Sequence, residues 1–578
     1  MSNDLTFPFV HRHKTLVTNI SRPDYRSIPG RLEPQRTTDG SAQTISSTLY
    51  DTLTKYLANG EIVLSQAEHF EISNDGKTYI FTLRKNGWSD GSLVTAADFE
   101  RTWKYLLTPK VECPCSYYFF FLKNAKKAKT GKVSVDKIGI RALSERLLRI
   151  DLEKPISFLL DLLACYVFAP LHSSSIEGFF PRPDSTYYPL ISNGPFKLCH
   201  WSPNVELVMD KNPHYYRAHE IYFERIRLNY LVNDLRVIDH FLQRDVDLMV
   251  KRFRILFKHK AIKWLVNTND MNSSQLSDTC CCVFNCIHPV FRHKELRRAL
   301  SMGIDRPKLL RRLTLMGEEA ADYLLPPIYR SSRIYKEFSK FDLLHARQLF
   351  QDAVKNAKLS HKRLAKSFTL LFPHSEFYFN LAEDLKECWE FIFDIKITTE
   401  PMTLENMLKR MAKRDYSMAI LSWNAYYHHP LSILERFRSK SNPKNYCHWN
   451  TRNFVKLLQK ATYAETKEKS WDYCRQADEI IKEEAPLAPI FHAKYGSLVQ
   501  PYVKNFMTSP MGIVNFEAIS FDEEMLVKRP FPEHPLASDL VEMLKESIPE
   551  PIRKMSWYGV NFSSPYSDYL NSLRFPDP

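Results

Sequence analysis

A chain of 578 residues with 44% hydrophobic and 25% charged residues is an ordinary globular mix, long enough for two or three domains with a sizeable core. The net charge of +14 raises nucleic acid as a partner, but the basic clusters at 123–137, 251–263 and 292–312 are scattered and no nucleic-acid motif accompanies them, so a solvated basic surface is expected. No apolar run reaches membrane-spanning length, and only 15 Gly leave little room for phosphate-cradling loops.

In chain order, Met1 to His13 (MSNDLTFPFVHRH) shows no basic stretch, apolar stretch or cleavage site of an export signal. A first strand is expected at Lys14 to Asn19. Asn74-Asp75-Gly76-Lys77 reads as a tight turn, because an Asx-Gly pair supplies the positive φ of a two-residue hairpin. Tyr79, Phe81 and Leu83 alternate with Thr78, Ile80 and Thr82, which predicts a strand with one strongly apolar face. Trp88-Ser89-Asp90-Gly91 makes a second turn. Thr95 then caps a helix, with Asp98 placed to reach back and with Phe99, Trp103 and Leu106 on one face. The run from Phe158 to Leu171 carries Asp161 and is expected as a buried core helix.

Eleven Cys form an odd set: Cys113, Cys115, Cys165, Cys199, Cys280, Cys281, Cys282, Cys286, Cys388, Cys447 and Cys474. An oxidising compartment tolerates few unpaired thiols. Three adjacent Cys on a strand point to alternating faces, and Cys113-Pro-Cys115 is too tight for an ordinary metal knuckle, so buried thiols are expected and no metal site is assigned. There is no P-loop, G-x-G-x-x-G, G-x-S-x-G or H-E-x-x-H, and no catalytic residue or cofactor is assigned; the expected protein is not an enzyme.

The wording SNDGKTYIFTLRKNGWSDGSLVTAADF resembles the signature region of the extracytoplasmic solute-binding proteins of family 5, the oligopeptide- and dipeptide-binding proteins of ABC transporters. Four further segments resemble the same family in the same order. They are Asn193 to Leu198 with Trp201 and Lys211 to Tyr216, then Phe291 to Leu300 with Gly303 to Arg306, then Tyr416 to Pro430, then Asp478 to Pro489. The resemblance spans 14–522. It implies an α/β, two-lobed periplasmic-binding-protein-like fold with mixed sheets, a hinge and an extra inserted domain. Lobe I would comprise 14–46, 191–277 and 494–522, with domain II (47–190) inserted in it. Lobe III would span 278–493, and 523–578 would be a C-terminal extension with an amphipathic helix at 537–547.

The same resemblance implies a ligand site and shows where this chain departs from it. In peptide binders of the family, an Asp after the Trp423-like position pairs with the peptide's α-ammonium; here Tyr426 stands in its place. Ile420, Met411 and Ala412 fall where basic residues are common. The implied ligand-binding residues are Trp423, Asn424, Ala425, Tyr426, Tyr427 and His428, with Tyr117 and Tyr118 from the inserted domain. Each also has a plainer reading: Trp423 as core, Tyr117 and Tyr118 as a buried strand, His428 as a loop residue. On a strand, Tyr426 and Tyr427 would face opposite sides, one lining the cleft.

The implied function is capture of a peptide or peptide-like ligand, a modified or N-terminally blocked peptide included, and delivery to an ABC permease in the inner membrane. The implied protein is a monomer of the periplasm or cell envelope. The missing export signal and the thiols favour a competing reading, an intracellular sensor or interaction protein that reuses the fold.

Overall fold

The computed structural model describes residues 14–20, 32–36, 40–57, 60–177, 190–202, 205–230, 240–241, 244–251, 271–314, 317–330, 341–360, 364 and 367–528. The N-terminal 13 residues, most of the second basic cluster and the expected 537–547 helix lie outside these.

The alternation in Thr78–Leu83 becomes a strand whose residues are half-buried and buried in turn. It pairs antiparallel with Ala67–Ile72 and with Leu147–Asp151, and Ile140–Ala142 completes a four-stranded sheet. The first connection is longer than the two-residue hairpin expected. Ladder pairing stops at Ile72 and Tyr79, and Gly76 (φ +66°) is the sole left-handed residue of the loop. A type I′ turn needs two such residues. Instead Ser73 Oγ donates to Asp75 at 2.7 Å and accepts the N–H of Thr78 at 3.0 Å, which stabilises the wider loop.

The following helix, Ala96–Leu106, starts as its sequence dictates: the Thr95 N–H donates to the Asp98 carboxylate at 2.8 Å. Its buried face sets Trp103 in edge contact with Phe119 and Phe168, and the indole N–H donates to the Phe168 carbonyl at 3.1 Å. The 158–171 run is buried as expected but is not one helix. Helix Leu159–Leu163 ends before Cys165, whose backbone is extended, and a 3-10 turn, Tyr166–Phe168, follows. Buried irregular backbone needs partners. The Gln35 amide supplies them, donating to the Val167 and Ala169 carbonyls at 3.0 and 2.9 Å.

A second sheet organises the rest. Its strands run in the order Thr398–Met402, Thr369–Pro373, Met418–Asn424, Met271–Phe284, Leu487–Val499, Leu248–Lys251, Thr15–Ile20, Arg225–Asn229, Glu206–Lys211 and Phe196–Ser202, with Glu319–Ala320 added alongside Leu487–Val499. The two longest strands, 14 and 13 residues, lie side by side at its centre. Their antiparallel pairing slips between Gln275 and Thr279 and again between Cys280 and Cys281; residues 271–275 pair with 494–498, beside Leu248–Lys251, and residues 279–283 pair with 487–492, beside Met418–Asn424.

The motif residues are explained by what they join. The Asn193 side chain accepts the N–H of Asp51 (3.1 Å) and donates to the Asp51 carbonyl (3.0 Å), Asn86 donates to the Asn193 carbonyl (3.0 Å), and Asn212 donates to the Gly194 carbonyl (3.0 Å). Gly194 sits so close that a Cβ there would lie 2.6 Å from the Leu49 carbonyl carbon. Downstream, helices Lys294–Met302 and Arg306–Leu313 each send a buried arginine to the start of the Leu487–Val499 strand: Arg297 to the Ala485 carbonyl (3.0 Å) and Arg306 to that of Pro489 (2.8 Å). Among the described residues no helix is long and apolar enough to cross a membrane.

Candidate functional site

The Met418–Asn424 strand is antiparallel to Met271–Phe284, with Trp423 opposite Thr279 and Asn424 opposite Asp278. Its residues MAILSWN are mostly buried, as a strand between two neighbours requires. The chain leaves the sheet at Ala425, whose N–H donates to the Ser277 carbonyl at 2.8 Å. Ser432 Oγ then accepts the N–H of Tyr426 (2.7 Å) and of Tyr427 (3.4 Å). This wrap overturns the expected alternation. Tyr426 and Tyr427 are no longer on a strand, and both turn inward, 6% and 3% exposed.

Both meet Tyr118, with ring centroids 5.7 and 5.8 Å away. Tyr117 and Tyr118 come from a 3-10 turn, Ser116–Phe119, so the strand reading of that segment is also corrected; the Cys113-Pro-Cys115 stretch bends the chain just before it. The two rings are 4.2 Å apart, and their buried hydroxyls have no hydrogen bond of ordinary geometry among the described residues. Trp423, 1% exposed, packs on Phe437 and Tyr446 and forms the floor.

Two cations escaped sequence reasoning. Arg436, from the 3-10 turn Glu435–Phe437, is 4% exposed, and its guanidinium lies 5.2 Å from the ring centres of both Trp423 and Tyr426. It donates through Nη2 to the Asn424 carbonyl. Lys444 lies 4.6 Å from the Tyr426 ring centre and donates to its hydroxyl at 2.9 Å. The only signal in the sequence was their proximity to the aromatic stretch 423–449.

His428 serves the site through its backbone: its N–H donates to the Tyr56 hydroxyl at 2.8 Å, and Tyr56 donates to the Asp161 carbonyl at 2.8 Å. Burial, then the nearby Lys467 ammonium, pushes the His428 imidazole down to about 4, so it is neutral at pH 7. His429, stacked on Phe158 at 4.3 Å, is pushed well below its ordinary value by the same causes. Lys467 also pairs with Asp161 at 2.7 Å. Thus 47–190 and 418–471 touch through aromatic, hydrogen-bonded and ionic contacts.

A cavity of about 80 Å³ opens beside this cluster, lined among others by Asp51, Lys55, Tyr56, Tyr166 and Glu517. Tyr166 also approaches Tyr426 at 6.5 Å, so cavity and cluster share a wall. The cavity's charges are satisfied internally. Lys55 pairs with Glu517, and Asp51 accepts from Ser65, Gln66 and Tyr215. Burial raises the Asp51 carboxyl above its usual range. Cys280, Cys281 and Cys282 are buried, and among the described residues no three His, Cys, Asp or Glu side chains gather as a metal site.

Comparison with known proteins gives the family and the fold. The sequence profile described as "Bacterial extracellular solute-binding proteins, family 5 Middle" matches residues 61–445. The oligopeptide-binding protein OppA of Bacillus subtilis is 25% identical over 469 residues, 81% of this chain and 86% of that protein. The "Probable deoxycholate-binding periplasmic protein YgiS" of Escherichia coli is 28% identical over 498 residues, 84% of this chain and 90% of that protein. The structure of the Escherichia coli murein tripeptide binding protein MppA superposes with a TM-score of 0.78 at 23% identity, covering 88% of this chain and 98% of that one. The unliganded open form of MppA superposes less well, at 0.63, over 88% of this chain and 97% of that one.

Proposed function

Because the chain belongs to the bacterial extracellular solute-binding proteins of family 5, we propose that it is the substrate-binding component of an ABC importer, which captures a peptide or peptide-like ligand between closing lobes. The observation that carries this reading is the meeting of Tyr118 with Tyr426 and Tyr427. Two segments some 300 residues apart supply one aromatic lining, so a ligand held there touches both sides and favours the closed arrangement over the open one. Trp423, Asn424, Ala425, Tyr426, Tyr427 and His428 form one wall, and Tyr117 and Tyr118 the other.

The lobes divide at 277/278 and 493/494. The pairing slip between Gln275 and Thr279 supports this placement, since an irregularity in a ladder is where paired strands bend and twist most readily. Lobe I takes 14–46, 191–277 and 494–522, domain II 47–190, and lobe III 278–493. None of the six wall residues 423–428 is acidic, so a free peptide α-ammonium finds no counter-charge on them. A blocked or modified peptide, such as a cell-wall fragment, fits better. The closed monomer then docks on a membrane permease in the cell envelope. No covalent chemistry, cofactor or nucleic acid enters this account.

Native mass spectrometry before and after mild unfolding tests it. A released peptide or muropeptide is the expected result. Tight binding of free tripeptides, with Tyr426→Ala harmless, overturns the blocked-ligand reading. An empty protein that shows no thermal shift with free or blocked peptides overturns the peptide-binding reading itself.

A further inference from the structure

We propose that Arg436 and Lys444, which both lie against Tyr426, together receive a carboxylate carried by the ligand. The inference rests on reading the cleft as a peptide-binding site and adds the charge of what that site holds.

Arg436 is buried between two aromatic faces, and an arginine keeps its charge there. Its Nη2 reaches a carbonyl, but its buried Nε has no acceptor among the described residues. The Lys444 ammonium makes one hydrogen bond, to the hydroxyl of Tyr426. No carboxylate lies within ion-pair distance of either cation among the described residues. The acid next in the chain, Glu435, is already engaged by Arg438 at 2.7 Å. Two like charges thus lie against one ring with no carboxylate beside them, an arrangement that the burial of Arg436 makes costly. Ring faces offset part of that cost but accept nothing from Nε.

The cavity next door is the contrast. There Lys55 has Glu517, and its acids have donors. Lys467 likewise has Asp161, so of these charged groups Arg436 and Lys444 are the ones with no carboxylate beside them among the described residues. A carboxylate fits the pair in chemistry: one oxygen can accept from the guanidinium and the other from the ammonium. The buried hydroxyls of Tyr117 and Tyr118, on which both Arg436 and Lys444 or Arg436 alone act electrostatically, are further donors in the same cluster.

The test is capture from pools of N-acetylated tri- to pentapeptides, read by mass spectrometry. One arm compares Glu with Gln at every position in C-terminally amidated peptides. The other compares free-acid with amidated C-termini in Gln-only peptides. At least tenfold enrichment of the anionic member is expected in one arm, which also tells a side-chain carboxylate from a terminal one. Lys444→Met, at a partly exposed position, and Arg436→Gln should each reduce the enrichment below threefold while thermal melting remains cooperative. The wild-type comparison stands even if Arg436→Gln fails to fold. Peptides captured without charge preference, or with cationic members enriched, overturn this inference and leave the peptide-binding reading intact. Capture of nothing in either arm overturns both.

Discussion

The backbone N–H of His428 and the side-chain hydroxyl of Tyr56 meet at 2.8 Å, joining two points 372 residues apart in the chain. The hydroxyl in turn donates a hydrogen bond to the Asp161 carbonyl, so Tyr56 ties two backbone segments at once. Tyr56→Phe keeps the ring and removes both bonds. A buried N–H left without an acceptor costs about 1–3 kcal/mol. Because the bond exists only when the two segments touch, the cost falls on the closed arrangement. Ligand affinity should drop roughly tenfold through the lost His428 bond, while the lost Asp161 bond, which lies within 47–190, lowers the melting temperature of the empty protein as well. Calorimetric titration checks this, and equal affinities would show that the contact does not hold the closed form.

Gly194 makes a different kind of prediction. A Cβ there meets the backbone of Leu49 and Tyr50 at 2.6–2.7 Å, and backbone cannot swing aside as a flexible side chain can. Gly194→Ala should therefore destabilise the fold by about 1–3 kcal/mol, the range for overpacking. It should also loosen the Asn193–Asp51 hydrogen bonds next to it. Thermal unfolding of the variant gives the answer.

Acid should weaken the protein through its buried histidines. His428 is held down to about 4, and His429 and His492 well below their ordinary value, in each case by burial first. The unfolded chain titrates near 6.5, so below that pH it binds protons that the folded chain refuses, and stability falls as pH drops from about 6.5 toward 4. Asp478 acts in the opposite sense. Burial raises it to about 6, so the folded chain takes up that proton first and gains stability as pH falls through 6 toward 4. His428→Gln should shrink the loss of melting temperature between pH 7 and pH 5, by about 1–2 kcal/mol of stability. Asp478→Asn should enlarge it. An unchanged slope in His428→Gln would mean that its imidazole is not kept neutral by the fold.

Two aromatic truncations should separate folding from closure. Trp103 packs within its own domain against Phe119 and Phe168, and Trp103→Ala should cost about 3–5 kcal/mol of unfolding free energy. Tyr118 packs on Tyr426 and Tyr427, across the proposed cleft. Tyr118→Ala should leave the melting temperature nearer to wild type and reduce ligand affinity at least tenfold. The reverse ranking in denaturation and titration would assign Tyr118 to the core.

Elements set by local rules were legible in the sequence. The Thr95–Asp98 cap and the alternation of Tyr79, Phe81 and Leu83 depend on neighbours a few residues away, and both elements formed where those rules place them. The expected helix at 158–171 failed because an apolar run reports burial, not conformation. Gln35, over 130 residues away, allows its carbonyls to be buried without a helix. The alternation of Tyr426 and Tyr427 failed because the strand ends at Asn424, under the pull of Ser432 on the next two N–H groups. Arg436 and Lys444 were invisible for a more general reason. A charge in a loop sequence looks solvated until the chain folds aromatic rings over it.

The layout of the large sheet also governs how the chain is made. Strand Leu248–Lys251 pairs on one side with Thr15–Ile20 and on the other with Leu487–Val499. The second partner is synthesised roughly 240 residues later, on the order of tens of seconds at ribosomal speed. During that interval a nascent chain carries an unpaired strand edge, the kind of surface on which other strands add. A holdase that covers this edge, or export before it can pair wrongly, keeps the half-built sheet monomeric. Slowing translation between residues 251 and 487 should raise the aggregated fraction without altering a single contact of the finished molecule.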